Sequence, residues 1–288
     1  MEETAVSRHF SADEIARLKR GLPRLAQWSN SILGPFDARR LRSGAVAWVN
    51  HRWFLERGFD LSQGGVRERV IAWLVDEFAW CVATNGKGFA SEGRTLWADR
   101  YGSSDGSCPY GGSARVATIG CFQVKGIGQT PMVGKGAVAG HTHGCLSLAE
   151  CLREAIWAEF AEAEFPRGAV PVIAVLDTGL EFSSPDSEDR YDQNVRRGIL
   201  IRPAVVRPAH AERAPLFGHP VGDFINRQSE DVQRTRDVIA RWASVSQNTG
   251  GAIIVPSTLK CSSLSRPAIR ACSTMASKSS RAMSASSS

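Results

Sequence analysis

Apolar residues recur every three or four positions in several segments of the chain, which is the spacing that buries one face of a helix. The segment before residue 166 has the clearest start, because Ser147 and Glu150 form the pattern of a capping box. Proline and glycine follow it and predict its end. Four helices are predicted in this way: 11–27, 66–82, 148–164 and 231–244.

The predicted helix 148–164 has two apolar faces of different character. One face carries the larger side chains, and we expect it to be the buried one. Its members are Leu148, Leu152, Ile156 and Phe160. The other face is small and apolar (Cys151, Ala158, Ala161) apart from one carboxylate, Glu154. A carboxylate in such surroundings is costly unless it is paired, so we expect a cationic partner for it.

Extended structure is predicted on both sides of this helix. Runs of β-prone residues occupy 114–119 and 121–125 before it, and 170–176 and 198–202 after it. Gly34-Pro35 predicts a break in the chain, and residues 85–112, which are dense in glycine, serine and aspartate, predict a long loop. The order strand–strand–helix–strand–strand predicts an α+β fold, a small antiparallel sheet with one helix laid across it.

Charge is distributed unevenly along the chain. The net charge is +6, but residues 257–288 contain five cations and no acid, which leaves 30 cations against 29 acids in residues 1–256. A nearly neutral body lacks the electrostatic footprint of a nucleic-acid-binding protein. Twelve of the 32 residues in 257–288 are serine, and this composition predicts a disordered Ser-rich tail.

The expected localisation follows from the lack of a membrane-spanning stretch, the lack of a secretory signal and the pattern of cysteines in the sequence. No stretch approaches the roughly 20 consecutive apolar residues of a membrane span. The first eight residues contain early acids and lead into no apolar run, unlike a secretory signal. The seven cysteines are scattered and odd in number, which favours reduced thiols. We therefore expect a cytoplasmic protein that binds neither membrane nor nucleic acid; the sequence assigns no oligomeric state.

Lys125 and Glu154 are the first candidates for chemistry. Lys125 ends an apolar strand and precedes Gly126 and Gly128, which let a backbone approach a phosphate closely. A lysine held by a helix glutamate over nucleotide phosphates is the arrangement of protein kinases. An exposed strand-end lysine and a surface ion pair are the alternative interpretations.

Arginines and soft ligands supply further candidates. Arg202 and Arg207 lie on or just after the last predicted strand, where a guanidinium could bind phosphate oxygens or could simply be a surface group. A metal site or a Cys–His nucleophile pair remains an alternative for the segment that contains His141, His143 and Cys145.

Two motifs resemble those of a known family. Residues 125–131, Lys-Gly-Ile-Gly-Gln-Thr-Pro, resemble the Lys-Gly-Ala-Gly-Arg-Thr-Pro motif of the SelO-like (YdiU-like) protein adenylyltransferases, and Leu-Arg-Glu at 152–154 matches the Ile-Arg-Glu of that family's first lobe helix. The resemblance covers about residues 45–215. Similar motifs occur in MchC-type proteins of microcin gene clusters, which are distant relatives of the same fold.

The resemblance implies a kinase-like N-lobe that binds ATP in the orientation opposite to that of protein kinases and, with Mg²⁺, transfers AMP to protein hydroxyls. Glu154 would position Lys125, and two arginines would clamp the phosphates. His143 and Gly144 fall where the family has its nucleotide-contacting Asp-Gly. The site residues implied in this way are Lys125, Gly126, Gly128, His143, Gly144, Glu154, Arg202 and Arg207.

The resemblance also predicts the domain organisation. Residues 1–44 would form an N-terminal helical extension, 45–256 the kinase-like region with an incomplete C-lobe, and 257–288 the tail. No counterpart of the family's Asp-Asn and metal-binding Asp-Tyr-Gly follows the helix predicted over 231–244. This favours a truncated or frame-shifted end and impaired transfer activity. The alternative function is a non-catalytic interaction protein, or a degenerate fragment, related to the MchC-type peptide-maturation proteins.

Overall fold

The computed structural model of the protein describes residues 9–22, 33–83, 86–99, 112–133, 142–166, 168–183 and 194–205. Its helices are α1 (Ala12–Leu18), α2 (His51–Leu55), α3 (Gly64–Phe78) and α4 (Leu148–Glu164). Its strands are β1 (Leu33–Leu41), β2 (Ala45–Val49), β3 (Trp80–Cys81), β4 (Phe89–Asp99), β5 (Val116–Ile119), β6 (Phe122–Lys125), β7 (Ala174–Phe182) and β8 (Val195–Pro203).

All eight strands belong to one antiparallel sheet. Their order is β2-β7-β8-β6-β5-β4-β1-β3. Strands β4, β5 and β6 are consecutive in sequence and adjacent in the sheet. Helix α4 then crosses one face of the sheet. It is followed by the β7–β8 pair, in which β8 lies beside β6. The expected α+β class with an antiparallel sheet is confirmed.

One face of the sheet packs against an aromatic core. Trp73, on α3, is the centre of this core and is almost fully buried. Its indole contacts four other rings edge-to-face, with centroid separations between 5.3 and 6.4 Å. Those rings belong to Phe10, Phe54, Phe78 and Phe122. Because the rings come from the segment before α1, from two helices and from a central strand, the core joins distant parts of the sequence.

The opposite face is covered by α4 over β7 and β8. Here the small side chains of the helix face the sheet: Cys151 and Ala155 are buried, and a Cβ on Gly198 would lie 2.8 Å from Cys151 Sγ. The expectation that Leu148, Leu152, Ile156 and Phe160 form the buried face is confirmed only in part: Leu148 and Leu152 pack against the small core beneath the helix, whereas Ile156 and Phe160 are 70% and 55% exposed. At Gly198 the close approach of helix and sheet leaves no room for a larger side chain.

Two segments predicted as irregular are strands. Residues 85–112 contain β4, and the predicted break at Gly34-Pro35 lies inside β1, which pairs with β4 along most of its length. Pro35 is tolerated because the second neighbour of β1, strand β3, pairs only with Arg39 and Arg40. At Pro35 strand β1 therefore pairs with β4 on one edge only, and on its other edge no backbone N–H is needed for a strand–strand hydrogen bond.

The structure also revises the predicted boundaries. The segment 1–44 is not wholly helical, because residues 33–41 form a strand of the same sheet as 45–49. The helix predicted over 66–82 ends at Phe78 and is followed by β3, and β7 begins later than 170. Helix α4 has its predicted bounds, with Ser147 Oγ accepting from the Glu150 N–H. The helix predicted over 231–244 and the tail lie outside the described residues.

The central position of Trp73 generates a stability prediction. Trp73→Ala should lower the free energy of unfolding by about 3–5 kcal/mol, because the mutation removes buried surface and leaves a cavity among four rings. Leu55→Ala, on a side chain that is 59% exposed, is the control and should change it by no more than about 0.5 kcal/mol. Urea denaturation of both variants measures the difference. Equal losses would contradict the assignment of Trp73 to the centre of the core.

Candidate functional site

Lys125 and Glu154 meet in the space between the sheet and α4. Lys125 ends β6, Glu154 lies in the middle of α4, and the Lys125 Nζ donates a hydrogen bond to Glu154 Oε1. The lysine side chain is mostly buried and that of the glutamate about one-third exposed. The cationic partner expected for Glu154 is therefore present, and it is the residue that the resemblance implies.

Strand register places Arg202 on the same face of the sheet. Lys125 pairs with Leu200, and residues that face each other in an antiparallel pair project to the same side. Arg202 is two residues beyond Leu200 and so returns to that side. Leu200 packs in the small core beneath α4, which confirms that this side is the one the helix covers.

An open cavity of about 460 Å³ lies between α4 and this part of the sheet. Four of its lining residues are charged: Glu150, Arg153, Glu154 and Arg202. The remaining wall is apolar and is formed by Trp157, Ala158, Val170, Val172 and Leu200. The cavity therefore combines an apolar wall with two arginines and two glutamates, and Lys125 adjoins it through its contact with Glu154.

A buried polar group beside Lys125 was missed by the sequence reasoning. Asp99 is fully buried at the end of β4 and accepts hydrogen bonds from Thr118 Oγ1 (3.1 Å) and Gln123 Nε2 (2.6 Å). Gln123 pairs in register with Arg202, and within the described part of the chain its buried Oε1 has no hydrogen-bond partner. The side of the sheet that carries Lys125 is thus polar from β4 across to β8.

The glycines of the candidate site have a structural role. Gly126, Gly128 and Gly144 all have positive φ, and a Cβ on Gly144 would lie 2.1 Å from the carbonyl carbon of Gly128. The N–H of Gly126 donates to Arg115 O and that of Gly128 to Gly144 O. These glycines therefore let the segments around 127 and 144 pack backbone against backbone, and both N–H groups are engaged within the protein.

Arg197 supports the same turn from the other side of the sheet and was also missed. It is 4% exposed, and its Nε and Nη2 donate to Gly126 O at 3.2 and 3.0 Å. No carboxylate contacts this guanidinium in the part of the chain that the structure describes. The sequence does not distinguish Arg197 from its neighbour Arg196, which is exposed and paired with Asp177. Only the tertiary structure reveals that the Arg197 side chain is buried.

His143 and Cys145 do not form a nucleophile pair. The ring Nδ1 of His143 accepts the backbone N–H of Cys145 at 3.0 Å, and Cys145 Sγ contacts the carbonyl of His143. Burial raises the pKa of the Cys145 thiol, which keeps it protonated at neutral pH. Among the described residues no group of three or more His, Cys, Asp and Glu side chains is placed to hold a metal ion.

The structure brings together part of the predicted site. Lys125, Glu154 and Arg202 share the side of the sheet under α4, while Gly126, Gly128, His143 and Gly144 form the turn region that follows β6. Arg207 lies outside the described residues. The arrangement can present a lysine and an arginine to an anionic ligand at the edge of a cavity that has one apolar wall and four charged lining residues.

Comparison with known proteins gives no family assignment. No protein-family model matches the chain, and no curated protein matches it either. The helices within the described ranges are all too short or too polar to cross a membrane. Inferences about function therefore rest on the residues and geometry of the site.

The close packing at Gly144 predicts that an alanine substitution destabilises the protein more at Gly144 than at Gly120, another glycine with positive φ. Gly120→Ala should cost about 1 kcal/mol of stability, because φ is +59° but nothing lies within 4 Å of the new Cβ. Gly144→Ala should cost about 3 kcal/mol, because the backbone at Gly128 must also move. Thermal and urea denaturation measure both. Similar losses would mean that the close approach at Gly144 is not present in solution.

The buried thiols predict slow alkylation. Burial raises the pKa of Cys151 to about 12, with a contribution from Glu154, and that of Cys81 to about 11. At pH 8 in the native state, iodoacetamide should label Cys81, Cys145 and Cys151 far more slowly than in urea, as measured by mass spectrometry of each peptide. Rapid labelling of Cys145 alone would instead indicate an activated thiolate and restore the nucleophile hypothesis.

Proposed function

We propose that the cleft between α4 and strands β6 and β8 binds the phosphates of ATP. The observation that carries the proposal is the Lys125–Glu154 contact, together with the position of Arg202 in the wall of the cavity that Glu154 also lines. A lysine and an arginine beside an apolar wall suit a ligand with a polyphosphate and an aromatic base.

The connectivity of the chain supports a kinase-like N-lobe as the finer description of this fold. Protein kinases carry the phosphate-binding lysine on their third strand and its glutamate on the following helix. In this chain β4, β5 and β6 are consecutive in sequence and adjacent in the sheet. Lys125 lies on β6, the third of them, and its partner Glu154 lies on α4, the next helix.

Three charged residues, Lys125, Glu154 and Arg202, have defined tasks in the proposed site. Glu154 lines the cavity and holds the Lys125 ammonium beside it, so the lysine is oriented before a ligand arrives. Arg202 offers a planar guanidinium that can donate two parallel hydrogen bonds to phosphate oxygens. Arg207 is the second arginine that the resemblance implies. Bound ATP would supply an adenylyl group: a protein hydroxyl oxygen would bond to the α-phosphorus, the bond from that phosphorus to the β-phosphate would break, and pyrophosphate and the hydroxyl proton would leave. We propose this AMP transfer as the activity of the complete site.

The described residues do not fit a magnesium ion. Glu154 is engaged by Lys125, and Asp99 is fully buried with Thr118 and Gln123 as donors. Glu150 also lines the cavity, but it lies 3.7 Å from Arg115 and has no second unengaged carboxylate beside it among the described residues of the cavity wall. Mg²⁺ is bound through carboxylates and substrate phosphates, and one cation-paired glutamate is a poor ligand set for it. We derive no step through the metal, and the proposal for this part of the chain is nucleotide binding.

The proposal predicts that ATP binding depends on Lys125 and Arg202. Lys125→Met and Arg202→Met should each weaken ATP binding by about tenfold to a hundredfold, because each removes a charge-assisted hydrogen bond to phosphate. Lys87→Met is the matched control, since Lys87 is exposed and lies away from the cavity, and it should leave the affinity unchanged. Isothermal titration calorimetry measures the affinities, and melting curves without ligand test whether each variant folds.

Two results would contradict the proposal. A cooperative melt of the unmodified protein with no heat of ATP binding would show that the cleft is not a nucleotide site. Equal weakening by all three variants would show that ATP responds only to the overall positive charge. Glu154→Gln separates orientation from charge, because it should reduce the affinity although the net charge becomes more positive.

A further inference from the structure

Helix α4 carries an exposed apolar stripe on its outer side. Among the described residues, four of the five exposed large apolar side chains lie on this helix or directly after it. They are Ile156 (70% exposed), Trp157 (61%), Phe160 (55%) and Phe165 (61%). The fifth, Leu55, lies on a different helix. The exposure is therefore concentrated at one place and is not the scattered kind that needs no explanation.

The stripe is ordered within the helix. Ile156, Trp157 and Phe160 are spaced by one, three and four residues, so their side chains are neighbours on the helix surface. The rings of Trp157 and Phe160 meet edge-to-face with centroids 5.6 Å apart. Aromatic side chains grouped in this way are characteristic of the centres of interfaces.

The fold itself does not require large side chains at these positions. The sheet is contacted by the small side of α4, where Cys151 and Ala155 lie close to Gly198. Trp157 also lines the cavity beside Leu200 and Arg202, whereas Ile156 and Phe160 belong neither to the cavity wall nor to the small core beneath the helix, so packing on the sheet does not require apolar residues at these two positions. An Ile and a Phe at these positions, beside Trp157, indicate that a further apolar surface packs there.

We propose that residues 231–244 of the same chain dock on this outer stripe of α4. These residues lie outside the described part of the structure, and their sequence predicts a helix. Their apolar members Val238, Ile239 and Trp242 have the same spacing of i, i+1 and i+4 as Ile156, Trp157 and Phe160. Two helices with matching apolar stripes can bury them against each other.

The position at which the chain leaves the sheet makes this contact reachable. Strand β8 ends at Pro203, and Arg202 lines the same cavity as Trp157. The roughly 25 residues from 206 to 230 can span up to about 80 Å when extended, whereas α4 is about 25 Å long. The connection therefore starts beside the stripe and is more than long enough to lay a helix along it.

Charge favours this occupant over a second copy of α4. Helix α4 contains five glutamates and one arginine, whereas residues 231–244 contain three arginines and two aspartates. Glu150, Glu154 and Glu159 are paired with cations of other elements, which leaves Glu162 and Glu164 against Arg153 and a small net negative charge on the helix. This charge is opposite to that of residues 231–244, whereas two copies of α4 would bring like charges together. The inference goes beyond the proposed function and does not rest on it, but the two share Trp157, so a segment docked on the stripe would cover one wall of the cavity proposed for ATP.

Photo-cross-linking in the full-length protein tests the proposal. A benzophenone amino acid replaces Trp157, and in a matched control it replaces Glu68, an exposed residue of α3. After irradiation, the Trp157 variant should yield a cross-link to the peptide that contains 231–244, in a species of monomer mass on a denaturing gel. Adding Trp242→Glu should reduce that cross-link by about tenfold, because a central aromatic contact is lost.

Three results would overturn the proposal. A cross-linked species of dimer mass would show that a second copy occupies the stripe. A cross-link at monomer mass to another segment would identify a different occupant. A yield at Trp157 no greater than at Glu68 would show that nothing docks there. Because the variant changes an exposed side chain, a cooperative melt is expected and each result can be interpreted.

Discussion

The site depends on how closely α4 approaches the sheet. Gly198 lies beneath Cys151, and any side chain at that position would hold the helix away from β8. At this short separation the Glu154 carboxylate reaches Lys125 on the neighbouring strand. A larger gap would leave a mostly buried ammonium without its carboxylate, which is a costly state. Small side chains on the inner face of α4 are therefore a condition for the ion pair.

The two faces of the sheet differ in composition and in role. The face beneath α3 is packed with interlocking aromatic rings and stabilises the fold through buried apolar area. The face that α4 covers carries the polar side chains Asp99, Gln123, Lys125 and Arg202, and hydrogen bonds join Gln123 to Asp99 and Lys125 to Glu154. A site for an anionic ligand belongs on the second face, because Arg202 lines the cavity there and Lys125 adjoins it through Glu154. The strand cations Arg40 and Arg94 of the other face are paired with Asp76 and Glu77 of α3.

Local patterns made part of this structure predictable. The Ser147 cap and the helical spacing identify α4, and a single carboxylate on a small face implies the contact of Glu154 with a cation. The buried face of α4 was predicted correctly at Leu148 and Leu152 and wrongly at Ile156 and Phe160, because the sequence of a helix does not reveal the shape of the surface opposite it. The same limit applies to Asp99, Gln123 and Arg197, whose importance comes from strand register and not from their sequence neighbours.

Strands β1 and β4 show why composition alone misleads. Glycine, serine and proline lower the β-propensity of both segments, yet the two strands pair along most of their length. Tertiary pairing overrides local preference here, because each strand buries alternate residues such as Ala38 and Leu96 in the aromatic core. The core that these strands complete supports β6 from the side opposite α4. The position of Lys125 is thus fixed by packing on one face of the sheet and by Glu154 on the other.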